Sequence, residues 1–288
     1  QLRDSFNTML ESLEKNKRVI SESKKQIEDS IVVAQRIQKS YLPSVSNVKN
    51  YFKDLAIYWA PKEIVGGDFY WIKKFGSRVY VICADCTGHG VPGAFMSLVA
   101  ISTLDKISNQ MYASASLETI VEKVHTDFSR ALALDSQNAE INDGFEASFL
   151  CFDYDAKVVD YLGMGMNLLI KNPDGSVNAV EGSRQPIGYK NVDIRGALKA
   201  HRFMLGQSLY VLYSDGFPTQ IGEQKRRMLG NKSLVEFLSR TPYASSNDVL
   251  QAMLNFFSKW MGREAQRDDL TMLIIEPKAA NDWSDYTL

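Results

Sequence analysis

The chain has 288 residues, enough for one large domain or two small ones with a properly buried core. With 45% hydrophobic and 23% charged residues, a formal net charge of −1 and a pI near 6.4, it has globular composition and no basic footprint for nucleic acid. No apolar run approaches the roughly 18 residues that a bilayer-spanning helix requires.

The chain opens on Gln1-Leu2-Arg3-Asp4, neither a signal peptide nor a natural start. A fragment of a longer protein is therefore expected, located in the cytoplasm either free or as the cytoplasmic part of a membrane-anchored receptor. Residues 1–42 carry a heptad seam. Phe6, Leu13, Ile20, Ile27, Ala34 and Tyr41 recur at a, with Leu2, Met9, Asn16, Ser23, Ser30 and Ile37 at d. The period predicts a helical coiled coil that pairs two copies of the chain, with a single amphipathic helix lying on its own domain as the alternative. Polar Asn16, Ser23 and Ser30 weaken the seam.

After Pro43 the pattern turns to short strands, which the sequence places at Leu55 to Ala60, Phe69 to Phe75 and Arg78 to Ala84, with Gly76-Ser77 as a hairpin turn. Cys83 and Cys86 form a C-x-x-C at the end of the third run. Three apart on a strand they face opposite ways, and no second pair of ligands accompanies them, which argues against zinc or redox chemistry. With Cys151 the cysteine count is odd, as fits a reducing compartment. Helices are expected from Gly93 to about Ser108 and from Leu117 to Leu134. Strands follow at Glu146 to Tyr154, Val158 to Gly163, Asn167 to Lys171 and Ser208 to Ser214, with a turn at Asn172-Pro173-Asp174-Gly175. Helices from about Lys232 to Ser239 and Asn247 to Met261 precede a last strand, Leu270 to Glu276, and residues 279–288 read as a frayed tail. Strands and helices bunched in this way predict an α+β domain over residues 43–278.

Four aspartates stand at strand ends beside glycines or polar turns: Asp68 after Gly66-Gly67, Asp85 before Cys86-Thr87-Gly88-His89-Gly90, Asp215 before Gly216, and Asp268 next to Asp269. Each alone is an ordinary turn residue. Together they can gather negative charge in one cleft, where a hard divalent cation is the natural partner. Oxygen donors of this kind select Mg²⁺ or Mn²⁺ over zinc.

Four segments, VGGDFYWI (Val65 to Ile72), CADCTGHGVPGAFMS (Cys83 to Ser97), LYSDGF (Leu212 to Phe217) and RDDLTMLII (Arg267 to Ile275), resemble the SpoIIE/RsbU branch of the PP2C (PPM) protein phosphatases, in family order. VAQRIQKSYLP (Val33 to Pro43) is similar to the linker that leads into such domains. Within the branch the likeness extends to receptor phosphatases of the SiaA type. The resemblance implies a PP2C-like sandwich of two antiparallel sheets flanked by helices, preceded here by the coiled-coil helix. It implies two Mn²⁺ or Mg²⁺ ions, with Asp85 bridging both, Asp68 and the Cys86 carbonyl completing one, and Asp215 and Asp268 the other. Asp269 is the runner-up to Asp268. Cys86 stands where the family usually has a small or branched residue, but only its carbonyl is required.

The implied reaction is hydrolysis of phosphoserine or phosphothreonine on a regulatory protein, by analogy a STAS-type anti-sigma-factor antagonist, with no covalent enzyme intermediate. His89 is open to two readings, an acid for the leaving seryl oxygen or a cap on the following helix. Lys62 and Arg184 are candidates for a phosphate-binding cation on charge alone. His125 and His201 read as structural. Two rival functions remain at this level. Gly66-Gly67-Asp68-Phe69 resembles the GGDEF signature of diguanylate cyclases, although Phe69 stands where an acid is needed, and a phosphatase fold can serve as a non-catalytic scaffold.

Overall fold

The computed structural model describes residues 2–132, 142–190 and 192–279. Leu134 and the tail from residue 280 onward lie outside the described residues. The chain separates into two compact units, Gln1–Ser40 and Tyr41–Leu288.

Helix α1 (Leu2–Tyr41) runs for 40 residues without Gly or Pro, about 60 Å at 1.5 Å per residue. Its apolar positions stay wet: Phe6, Leu13, Ile20 and Ile27 are 53%, 56%, 67% and 60% exposed. No helix among the described residues is long and apolar enough to cross a membrane.

The second unit is built on two five-stranded, fully antiparallel sheets. In the first the spatial order is β1 (Asp54–Ala60), β10 (Leu270–Glu276), β9 (Leu209–Tyr213), β6 (Leu168–Lys171) and β7 (Val177–Val180). In the second it is β2 (Phe69–Phe75), β3 (Arg78–Cys86), β4 (Phe145–Asp153), β5 (Val158–Met164) and β8 (His201–Met204). The implied α+β, PP2C-like sandwich is therefore the observed fold.

Alternation sorts the side chains of each strand into two cores. In β3, Val79, Val81 and Cys83 meet Leu273 and Ile275 of β10 and Leu212 of β9 between the sheets. The intervening Tyr80, Ile82, Ala84 and Cys86 face the other way. There they pack under α3 (Gly90–Lys106), α4 (Asn109–Ser114) and α5 (Leu117–Ala131). The outer face of the first sheet, through Val211, Met272 and Ile274, is covered by α6 (Gly216–Thr219), α7 (Asn231–Arg240) and α8 (Ser246–Met261). Both faces of the central strands are buried, which is why they read as continuous apolar runs. Cys83 and Cys86 fall in different cores, and all three cysteines are buried and free.

The β2–β3 hairpin turns on Gly76-Ser77 with Gly76 at φ +61°, a left-handed position that glycine adopts without strain. Helix α3 begins at Gly90, three residues before the expected Gly93. Pro92 sits in its first turn, where a missing N–H removes no intrahelical bond. Five strands and α-helices were not anticipated: the four-residue edge strands β7 and β8, and the short helices α2 (Val45–Val48), α4 and α6. Each is too brief for its periodicity to register.

Candidate active site

The alternation that builds the inter-sheet core also builds the site. In β3 the inward series Val79, Val81, Cys83 continues to Asp85. In β2 the inward pair Tyr70 and Ile72 extends backwards to Asp68. From the other sheet, the inward series of β9 continues to Ser214, next to Asp215, and that of β10 extends backwards to Thr271 and Asp269, next to Asp268. Four strand ends thus deliver polar side chains to one edge of the sandwich, where the apolar filling stops.

The contacts there are short. Thr271 Oγ1 donates to Asp68 Oδ2 at 2.7 Å, and Asp85 stands among the carboxyls of Asp68, Asp215 and Asp268. Trp59 Nε1 donates to the Asp68 carbonyl at 2.9 Å. Glycines bring the two acidic loops together. A Cβ on Gly67 would stand 2.7 Å from the carbonyl oxygens of Cys86 and Gly88, and one on Gly93 would stand 2.2 Å from the Gly88 carbonyl. No side chain larger than hydrogen fits at either position.

Electrostatics follow from crowding acids where water is scarce. Burial pushes the Asp68 carboxyl up to about 7, against hydrogen bonds from Ser214 and Thr271 that pull it down. Burial also raises Asp85 far above the carboxylate range, helped by the neighbouring charges of Asp68, Asp215 and Asp268. Asp215 is raised by burial and by Asp268. Such a cluster calls for a counter-charge, either a shared proton or a cation. Among the described residues no three His, Cys, Asp or Glu side chains close into a ready cation cage. The aspartates crowd instead around Asp85. Two buried carboxylate oxygens, Asp68 Oδ1 and Asp215 Oδ1, nonetheless have no hydrogen-bond partner. Orphaned anionic oxygens in an all-oxygen donor set fit a hard divalent cation.

A cleft of about 340 Å³ opens onto this edge, lined among others by Asp85, Asp215, Asp268, His89, Glu146 and Tyr189. Asp269 does not line it. Its Oδ1 accepts the Lys62 N–H at 2.7 Å, and its Oδ2 accepts those of Gly67 at 2.6 Å and Asp68 at 3.4 Å. Adjacent in sequence, the two aspartates are thus distinct in space. His89 is the N-cap residue of α3, but its side chain caps nothing. Its Nδ1 pairs with Glu63 Oε1 at 2.7 Å, which removes the capping reading.

Two cleft residues escape sequence reasoning. Glu146 is the cross-strand partner of Asp85, and burial together with Asp215 raises its pKa. Tyr189 donates to or accepts from Thr87 Oγ1 at 2.6 Å, and Thr87 is tied in turn to both backbone groups of Gly144. No motif marks Glu146 or Tyr189, and only the strand register of Asp85 with Glu146 would have pointed to the first.

A sandwich of two antiparallel sheets with helices on both outer faces, and an acidic cleft at one edge, defines a PP2C-type phosphatase domain. The model of the family Stage II sporulation protein E (SpoIIE) matches residues 76–278, and the chain belongs to that family. The fold is similar to the SiaA PP2C domain of Pseudomonas aeruginosa, at 24% identity and a TM-score of 0.75, covering 89% of this chain and 99% of that one. It is also similar to the PP2C phosphatase domain, with a fragment of the regulatory domain, of SpoIIE from Bacillus subtilis. There the identity is 18% and the TM-score 0.60, over 77% of this chain and 62% of that one. RsbX in complex with magnesium matches at 17% identity and a TM-score of 0.54, over 78% and 94% of the two chains. No curated protein matches the chain. The family assignment leaves no place for the cyclase reading of the Gly66-Gly67-Asp68 turn.

Proposed function

We propose that this chain hydrolyses phosphoserine or phosphothreonine on a regulatory partner protein, with two Mn²⁺ or Mg²⁺ ions held by Asp68, Asp85, the Cys86 carbonyl, Asp215 and Asp268. The observation that carries the reading is the meeting of Asp85 from one sheet with Asp215 and Asp268 from the other at one cleft, with Asp68 buried beside Asp85 and two buried oxygens of the cluster unpartnered. When bound, divalent cations at such a site acidify an attacking water and neutralise phosphoryl oxygens. Asp85 would be the ligand shared between the ions, because it faces Asp68 of its own sheet and Asp215 and Asp268 of the other. Asp68 would offer its unpartnered Oδ1, since Thr271 holds Oδ2. His89, half-exposed at the cleft and oriented through Nδ1 by Glu63, is placed to give a proton to the leaving seryl oxygen.

A partner of the STAS type is supported by the family alone. Pairing of α1 with a second copy is supported by its heptad seam and by apolar a positions that are more than half exposed. The deciding assay measures phosphate release from a phosphoserine protein with Mn²⁺ present and absent, beside c-di-GMP formation from GTP. Mn²⁺-dependent release with no cyclase product is expected. A folded protein that binds Mn²⁺ but releases no phosphate from any phosphoprotein offered would leave a scaffold.

A further inference from the structure

Asp269 is 2% exposed and lies at the start of β10, yet its carboxylate serves residues some 200 positions away in the chain. Both of its oxygens are consumed by backbone N–H groups of the 62–68 loop, as described above. That loop ends in Asp68, whose Oδ2 is held by Thr271, two residues beyond Asp269. The space under the loop is also spoken for. A Cβ on Gly66 would stand 2.3 Å from Asp269 Oδ2 and 2.6 Å from Oδ1 and Cγ, and Gly66 does not lie in the left-handed region. The three atoms nearest to such a Cβ thus all belong to this one carboxylate.

We infer that Asp269 is a positioning residue rather than a metal ligand: its carboxylate clasps the Lys62–Asp68 backbone to the N-terminal end of β10 and so sets where Asp68 stands relative to Asp85. This rests on the metal reading of the site for its functional consequence, but the clasp itself is a property of the protein without ions. A carboxylate accepting three backbone donors binds a flexible Gly-Gly segment without the spread of conformations that two glycines otherwise allow. Release of the clasp frees the loop, and Asp68 then meets the cation from a broader distribution of positions. Ligand orientation from behind the coordinating shell is commonly worth about 10–100-fold in metal affinity. The number of ions bound stays the same, because no coordinating oxygen is lost.

The test has two arms on the full chain. In the ion-free protein, hydrogen exchange at the Gly67 amide is compared between wild type and Asp269→Ala. The amide is expected to lose protection in the variant while amides of β3 and β4 keep theirs, which also shows that the variant folds. Calorimetric titration with MnCl₂ then follows wild type, Asp269→Ala, Gly66→Ala and the double variant. Asp269→Ala is expected to weaken Mn²⁺ by about tenfold or more with unchanged stoichiometry. Gly66→Ala is expected to weaken it by pushing the carboxylate aside, and to have no further effect once Asp269 is alanine. A lower stoichiometry in Asp269→Ala would make it a ligand and overturn the inference. Unchanged Gly67 protection, or additive effects of the two substitutions, would equally overturn it. Wild-type protein that takes up no Mn²⁺ but shows the Gly67 effect would sink the metal reading while leaving the clasp in place.

Discussion

Thr271 and Asp68 are 203 residues apart in sequence and belong to different sheets, yet the threonine hydroxyl donates to the aspartate at 2.7 Å inside a fully buried pocket. One oxygen of Asp68 is thereby held and the other left open. Thr271→Val keeps the shape and deletes the donor, which leaves a buried acceptor unsatisfied at a cost of about 1–3 kcal/mol. Mn²⁺-dependent turnover should fall with it, and Thr271→Ser should restore most of both. Urea melts beside phosphate release check this, and a serine variant no better than valine would assign the effect to packing.

Asp85 stands at the centre of the acidic cluster and is the residue whose loss should be least tolerated. Asp85→Asn should reduce metal-dependent phosphate release to background. In EDTA, however, the same variant should melt above wild type, since folding no longer has to force a proton onto a carboxyl buried beside Asp68, Asp215 and Asp268. Asp215→Ala and Asp268→Ala should be similarly inactive. Wild-type turnover in Asp85→Asn would refute the assignment of the bridging ligand.

Cys83 and Cys86 pack into separate cores on opposite faces of β3. A double serine variant should therefore keep Mn²⁺-dependent activity and lose stability, by about 1–3 kcal/mol for each hydroxyl buried without a partner. Chemical melts and elemental analysis report the two properties. Zinc in the wild type that disappears with activity in the variant would restore a metal role for the pair.

Lys171 ends β6 with no exposed surface, and its Nζ donates at 2.9 Å to the carbonyl of Leu238, one of the last in α7. Burial lowers its pKa below 10.5. The folded state therefore binds fewer protons than the unfolded chain just below that pH, and stability rises with pH across the window. Compared with Lys171→Met, wild type should gain ground between about pH 8.5 and about pH 10.5. A difference that is flat or reversed in denaturant melts at the two pH values would contradict this.

The exposed seam of α1 makes a last expectation. Lysine at both Ile20 and Ile27 places charges at adjacent a positions, which cannot be buried unpaired, so the doubly substituted chain should sediment as a monomer. Its phosphatase rate should differ from that of wild type if the helix transmits a signal. An unchanged dimer would move the interface elsewhere, and a monomer of unaltered rate would leave the helix a tether.

What local chemistry specifies was legible in the chain by itself. The β2–β3 hairpin follows from Gly76-Ser77 between two apolar runs, and α1 from its heptads, because turn preference and periodicity act over a few residues. The acidic motifs were legible too, since Asp68, Asp85, Asp215 and Asp268 all sit where an apolar strand meets a polar turn. Their order along the chain carried the resemblance to the SpoIIE/RsbU branch. Edge strands β7 and β8, four residues each with mostly wet side chains, carry too little pattern to be seen.

Only the tertiary structure separates Asp268 from Asp269. The two are neighbours with the same chemistry, and what divides them is the 62–68 backbone, brought from the other sheet to occupy one carboxylate and leave the other at the cleft. The same holds for Glu146, which becomes part of the site through its register with Asp85, and for His89, whose partner Glu63 lies in a different loop. Periodicity states which way a side chain faces on its own strand. Which groups it meets depends on pairing and packing between strands far apart in sequence, and that is decided when two sheets close over a common core.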